Sequence, residues 1–363
     1  MLHFYRRFLK IGFSCMIMAF IATGTVYAQL GDIGAFLRAG ADDASILTKE
    51  YLKPFPTGFG TGLNAGWSEE AAPKKKLGFS LQIRSSLAIV PSSDQEFDIS
   101  TLGLTNMEVA PGNSPITPTI AGNDSPGPEM IVSDGNGNEL TRFNMPEGTG
   151  FAFVPAPTIQ ANIGLIKNTD ISIRYFPETD ISDFGKFSVF GGAIKHDITQ
   201  WLPGGNVLPV DISVMLGYNK IGVDAGLELP ADGTRDPNDP NLTSNPNPDF
   251  SSQEVVTDTE TFVLNALVGK SLPFVSVYGG LGYQKATFDL NMNGDYPVPS
   301  YNPLTPGDDY IVVSDPIGFS MDSETSVHAL AGFRLKLGFL AIYGEATLAN
   351  YFTANAGIGL SIR

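Results

Sequence analysis

The chain has 363 residues, 17% charged and 42% hydrophobic, with 40 Gly, 26 Pro and a formal net charge of −16. That balance excludes a nucleic-acid binder, which needs a basic face to displace counterions from phosphates. A content of 24 Phe and 12 Tyr excludes a disordered chain, and a single Cys excludes both a disulfide scaffold and a Cys-rich zinc module. Charge is scarce for a soluble protein, in which roughly a quarter of residues carry it.

Arg6, Arg7 and Lys10 open the chain without an acid, Ile11 to Ala22 is apolar apart from Gly12 and Ser14, and Val26, Tyr27 and Ala28 end the run. A basic start, a short apolar core and a small-residue cleavage site predict a secretory signal over residues 1–28. The apolar run is shorter than the roughly 20 residues of a spanning helix. Cys15 lies inside it, so the mature chain is expected to be cysteine-free with a net charge of −19.

A short amphipathic helix is expected next, within residues 29–56. Asp42 is a candidate N-cap, and Ala44, Leu47, Tyr51 and Leu52 recur at helical spacing before Pro54. Such a helix suits either a plug in a lumen or a periplasmic cap under a barrel, and the sequence leaves both open.

From there on, period-two alternation dominates. Ile159, Ala161, Ile163 and Leu165 share one face against Thr158, Gln160, Asn162 and Gly164. Val210 to Tyr218, Val327 to Leu335 and Ala356 to Arg363 repeat the pattern, and Arg174 and Arg334 fall on the small-polar faces of their strands. Between the strands, residues 92–150, 229–253 and 292–319 hold 16 of the 26 prolines and a net charge of −15. Tight turns at Lys167 to Thr169, Lys270 to Pro273 and Lys336 to Gly338 alternate with these long acidic loops. Long loops at one end and tight turns at the other predict an all-β, transmembrane antiparallel β-barrel over residues 57–363. A barrel is required because lipid cannot satisfy open strand edges. The competing architecture is a secreted β-sandwich, which would carry more charge on its wet faces. Eleven candidate strands, the first at 57–67, give ten if that segment is a lead-in and twelve if one more is hidden; Met130 to Phe143 reads as a hairpin within a loop.

GADDAS at Gly40–Ser45, YLKP at Tyr51–Pro54 and GLNAGW at Gly62–Trp67 resemble the opening of an uncharacterised Bacteroidetes outer-membrane family. VPAPTIQ at Val154–Gln160, RYFP at Arg174–Pro177, IKHDITQWLP at Ile194–Pro203 and LPVD at Leu208–Asp211 extend the resemblance. It implies a barrel and an outer-membrane location without an activity. A looser architectural likeness, plug plus barrel, is to FadL-type transporters of hydrophobic compounds. The chain departs from many outer-membrane barrels by ending in Ile362-Arg363 rather than an aromatic residue.

Little points to chemistry. His196 and Asp197, with Gln200 and Trp201, suit an acid–base pair, or equally a one-turn helix capped by Asp197 at the rim with Trp201 in an interfacial aromatic belt. Asp134 to Glu139 has alternating oxygen ligands but lacks the turn Gly and the bidentate Glu of a calcium loop. No nucleophile motif, cofactor motif or metal set is present, so an enzyme is not expected. The expected function is passive passage of a small solute, hydrophobic ones included, with lumen or rim residues Arg174, Arg334, His196, Asp197 and Trp201 and plug residues Asp42, Leu47 and Tyr51. The expected partners are outer-membrane lipid and the barrel-assembly machinery. The alternative is a surface protein that binds a partner through its acidic loops.

Overall fold

The computed structural model describes residues 36–362 apart from 135, 181–184, 204–207, 228, 232, 301–308 and 324–325. The expected signal, 1–28, lies outside the described residues. Ten antiparallel strands close into a barrel: β1 (Phe79–Ile89), β2 (Phe153–Gly164), β3 (Thr169–Asp180), β4 (Lys186–Asp197), β5 (Asp211–Gly226), β6 (Glu254–Ser271), β7 (Val275–Asn293), β8 (Ser326–Leu337), β9 (Leu340–Leu348) and β10 (Phe352–Ile362). Each pairs with the next in sequence, and β1 pairs with β10 through Phe79↔Ile362 to Ile89↔Phe352, so no edge of the ring is left open.

The alternation in sequence becomes an inside-out distribution of polarity. In β1, Ser80, Gln82, Arg84 and Ser86 are buried in the lumen while Phe79, Leu81 and Ile83 are exposed outside. Ile173, Phe190, Ile194, Leu264, Val277, Phe333 and Ile358 continue the outer apolar surface around the ring. In water so much exposed apolar area would drive association; against lipid it is the favourable arrangement. No helix among the described residues is long and apolar enough to cross a membrane. The closed ring sets the soluble sandwich aside.

Tight turns define one end of the barrel. Lys167 and Asn168 both take positive φ, 58° and 50°, as a primed hairpin turn requires. Gly338, at φ 70°, turns the chain between β8 and β9.

The opposite end corrects the expectation of irregular loops. Residues 92–150 carry two small antiparallel sheets: Glu96–Asp98 with Ile116–Pro118, and Glu129–Ser133 between Met107–Val109 and Glu139–Asn144. Residues Asp295–Ser300 and Asp309–Ser314 form another pair, joined by Thr234–Arg235. Ile317–Asp322 pairs with the upper part of β7 and raises the wall there. These pieces enclose their own apolar core, in which Ile99, Met107, Met130, Val132, Phe143 and Tyr296 meet. The long segments therefore fold into a cap over the barrel. Their apolar residues follow no period, because each reaches the core from a different short element.

Among the described residues two α-helices precede β1. α1 (Ala41–Leu52) buries Ala44, Leu47, Tyr51 and Leu52 in the cap core. Its N-cap is Gly40 rather than Asp42, which is exposed in the first turn. The acid used is Asp43, whose carboxylate accepts the backbone N–H groups of Thr105 (3.0 Å) and Asn106 (2.7 Å). α2 (Pro54–Asn64) starts with Pro54 at N1, where a missing N–H costs nothing. The candidate strand at 57–67 is thus overturned through Asn64, and the barrel wall begins at Phe79.

Candidate functional site

α2 occupies the lumen, touching β1 and β2 on one side and β6 and β7 on another. Its glycines make this possible. A Cβ on Gly58 or Gly62, one turn apart, would come within 2.7 Å of the Val154 Cγ2 or the Ala156 Cβ on β2, and one on Gly60 would collide with Ala286 on β7. The alternate Gly58, Gly60 and Gly62 that imitate a strand period are the contact points of a helix squeezed between two walls.

Beyond α2 the chain continues down the lumen as a non-helical segment. Leu77 N donates to Gly164 O (2.9 Å), and Gly164 N to Gly78 O (2.8 Å), which places the exit at the tight-turn end. The N-terminal segment thus enters from the cap, traverses the barrel and leaves at the opposite end before turning back into β1.

An irregular segment inside a barrel must find hydrogen-bond partners outside itself. The wall supplies them. Arg174 of β3 donates from Nη1 to Leu63 O and from Nη2 to Ala65 O (3.0 Å). Gln160 of β2 donates to Trp67 O (2.9 Å), and Arg84 of β1 and Tyr278 of β7 both donate to Ser68 O (3.0 Å each). Lys195 of β4 donates to Glu70 O (2.9 Å) and Ser213 of β5 to Ala71 O (2.8 Å). In return Glu345 of β9 accepts from Gly66 N (2.8 Å) and Asp170 of β3 from Lys74 N (2.9 Å). Seven strands therefore hold one short segment.

The side chains of that segment are charged where the wall is charged. Glu69 lies 3.0 Å from Lys74 and 3.3 Å from Arg334, and is further bonded by Ser80 and Asn162. Glu70 lies 2.8 Å from Arg334 and 3.2 Å from Lys336, and accepts the hydroxyls of Ser271 (2.7 Å) and Ser276 (2.6 Å). Lys195 is 3.4 Å from Asp170. A cavity of about 10 Å³, the space of roughly one water, lies among Trp67, Glu69, Lys74, Asp170 and Lys195. The segment is packed against the wall along its length, with Trp67, Glu69, Ala71 and Lys74 all buried.

The residues singled out from sequence fall in three places. Arg174 and Arg334 are in the lumen, 1% and 5% exposed, and bind the plug. His196, Asp197 and Trp201 sit together at the tight-turn rim. Trp201 Nε1 donates to His196 Nε2 (3.0 Å), Thr169 Oγ1 meets His196 Nδ1 (2.8 Å), and Asp197 accepts the N–H of Thr199 (2.7 Å). The carboxylate is used as a cap on the Thr199–Trp201 turn, and Trp201 is 70% exposed beside the apolar belt. Leu47 and Tyr51 lie in the cap rather than the lumen, with Tyr51 donating to Glu147 O (2.9 Å). Asp134 spends its carboxylate on Asn136 and Asn138 at a hairpin tip. Sequence reasoning missed Arg84, Glu69, Glu70, Lys74 and Lys195. Arg84 was within reach, because it alternates with Ser80, Gln82 and Ser86 as Arg174 does on its own strand.

No curated protein matches the chain by sequence. Solved structures that resemble it include the attachment invasion locus protein Ail of Yersinia pestis (9% identity, 79% of this chain and 99% of that one, TM-score 0.26). The translocator domain of the autotransporter NalP from Neisseria meningitidis is another (10% identity, 90% and 99%, TM-score 0.29). A third is the monoaromatic hydrocarbon channel TodX (8% identity, 81% and 69%, TM-score 0.25). None is near enough to carry a function across. Residues 7–362 match one family throughout, and the chain belongs to it: the family of unknown function DUF6588.

Proposed function

We propose that the protein resides in the bacterial outer membrane, oriented with the cap outside and the tight turns in the periplasm, and admits a small polar solute when its N-terminal plug moves. The location rests on the closed ring with its apolar exterior, which only lipid suits. The orientation follows the usual placement of short turns in the periplasm. Lipid and the barrel-assembly machinery are its partners in this reading, and it has no catalytic role.

The observation that carries the transport reading is the composition of the lumen wall. Arg84, Gln160, Arg174, Lys195, Ser213 and Tyr278 face inward, and each donates to a backbone carbonyl of the plug. A purely structural barrel of this width would be filled by its own side chains. A polar wall suits a polar solute, not a hydrophobic one.

The test is conductance in planar bilayers. The full chain should be closed at rest, and Arg174→Ala combined with Lys195→Ala, which removes the charged donors from three plug carbonyls, should conduct. If that variant inserts and stays closed, the transport reading fails.

A second reading has its own observation. The cap has a packed core and so presents a fixed acidic surface, as a binding protein requires. Substitutions on that surface would then abolish partner binding with conductance unchanged.

A further inference from the structure

The charge inside the barrel is opposite in sign to the charge of the chain. The described wall residues facing the lumen include five bases, Arg84, Arg174, Lys195, Arg334 and Lys336, and two acids, Asp170 and Glu345. Asp197 and Asp211 stand at the tight-turn rim. The mature chain as a whole is expected to carry −19. A lumen more basic than its protein is a selectivity device, since charged wall residues set which ions a pore accepts.

Within that wall one group of side chains is already bound to a carboxylate. Arg334 Nη1 (2.8 Å), Lys336 Nζ (3.2 Å), Ser271 Oγ (2.7 Å) and Ser276 Oγ (2.6 Å) converge on Glu70. They come from β6, β7 and β8, whereas Glu70 comes from the plug. Two cations and two hydroxyls around one oxyanion form a complete binding site. Its occupant is tethered but belongs to a segment that has to move for the lumen to open.

We infer that Arg334, Lys336, Ser271 and Ser276 form a binding site for a small oxyanion, a carboxylate or phosphate, that the plug's own Glu70 occupies in the closed state. The inference rests on the transport reading and names its substrate class. The plug acts as a tethered competitor. An oxyanion arriving from the tight-turn end exchanges with Glu70, and the exchange removes four of the contacts that hold the plug. Glu69, beside it, keeps a second contact to Arg334 and has its own partners in Lys74, Ser80 and Asn162, so one exchange loosens the plug without discarding it.

The experiment uses the full chain in detergent, with inorganic phosphate as the probe and calorimetric titration as the readout. Glu70→Gln removes the competing charge, so phosphate should bind at least about tenfold more tightly than to the wild type, because the fraction of free sites multiplies the apparent affinity. Lys336→Gln, at a partly exposed position tolerant of change, and Arg334→Gln should each abolish the gain. Equal affinity in the wild type and Glu70→Gln, or binding that survives both Lys336→Gln and Arg334→Gln, overturns the site. Heat-modified gel mobility reports that each variant retains its barrel. Phosphate binding without conductance in the plug-loosened variant leaves the site standing and overturns transport; conductance without phosphate binding does the reverse.

Discussion

Arg174 lays its guanidinium over the indole of Trp67, with 3.6 Å from Cζ to the ring centroid. The same side chain donates to Leu63 O and Ala65 O and, among the described residues, has no carboxylate within ion-pair distance; its partners in hydrogen bonding are Gln160, Asn219 and the plug backbone. The ring and the carbonyls together receive a charge that burial would otherwise destabilise. Arg174→Ala is expected to cost roughly 3 kcal/mol, from two lost charged hydrogen bonds and a lost ring contact. The chain has two Trp, so in a Trp201→Phe background the emission of Trp67 alone reports the plug. It should shift to the red in Arg174→Ala, and an unshifted spectrum would show that Arg174 does not hold the segment.

Gly60 faces Ala286 with no room for a methyl group between them. Gly60→Ala should therefore destabilise the plugged state by about 1–3 kcal/mol, the usual effect of overpacking. Adding Ala286→Gly returns the missing volume, and the pair should regain most of the loss. Urea unfolding of the two single variants and the double variant measures it. A double variant no better than the singles would place α2 away from that wall.

What the sequence made legible was whatever repeats with the period of a strand. Alternation in β2, β5 and β10 follows directly from one face meeting lipid and the other the lumen, so it survives in the residues without knowledge of the fold. The helix at Ala41–Leu52 was legible from Leu47 and Tyr51 for the same reason, although not its place in the cap. α2 was not, because the spacing of Gly58, Gly60 and Gly62 is dictated by two opposing walls rather than by its own period. Glu69 and Glu70 were not legible either. They lie in a segment without regular structure, and their partners Arg334 and Lys336 are more than 260 residues away.

The cap should weaken in acid. Burial raises the carboxyl of Asp239, but the backbone N–H groups of Asn241 and Val312 and the Arg235 guanidinium outweigh it and hold the group below its ordinary value. Asp295 is likewise raised by burial and lowered further by Ser314, Asn245 and the N–H of Asp249. Both folded values lie below the unfolded value of about 3.9. Their contribution is thus complete above that pH and is lost as pH falls through the folded values. Amide exchange in residues 233–252 should be steady, after correction for intrinsic rates, from pH 7 to about 5 and accelerate below about pH 4. In Asp239→Asn with Asp295→Asn the acid step should shrink; a step of unchanged size would assign it to other groups.

The threaded path makes a prediction about topology that neither helix makes alone. α1 is fixed in the cap through Asp43 and Tyr51, and Leu77 is fixed at the tight-turn end through Gly164. Between them lies the full depth of the lumen, so Phe36 stands on the cap side although β1 begins on the other. In the proposed orientation an epitope inserted after Gln29 is expected to be labelled on intact cells, as is one at the Asp134–Asn138 hairpin tip. An epitope added after Arg363, next to the end of β10 at the tight-turn rim, should be labelled only once the outer membrane is opened. The threading also implies that the segment enters the barrel before the ring closes or is drawn through afterwards. Gly62→Cys with Ser86→Cys distinguishes a plug that stays from one that leaves. A Cβ on Gly62 would lie 3.5 Å from that of Ser86, within disulfide range, with Ala156→Gly added to make room. Oxidation should lock the lumen shut in a variant that otherwise conducts, and reduction should restore conductance. Conductance unchanged by a disulfide shown to have formed would mean that solute passes beside a stationary plug.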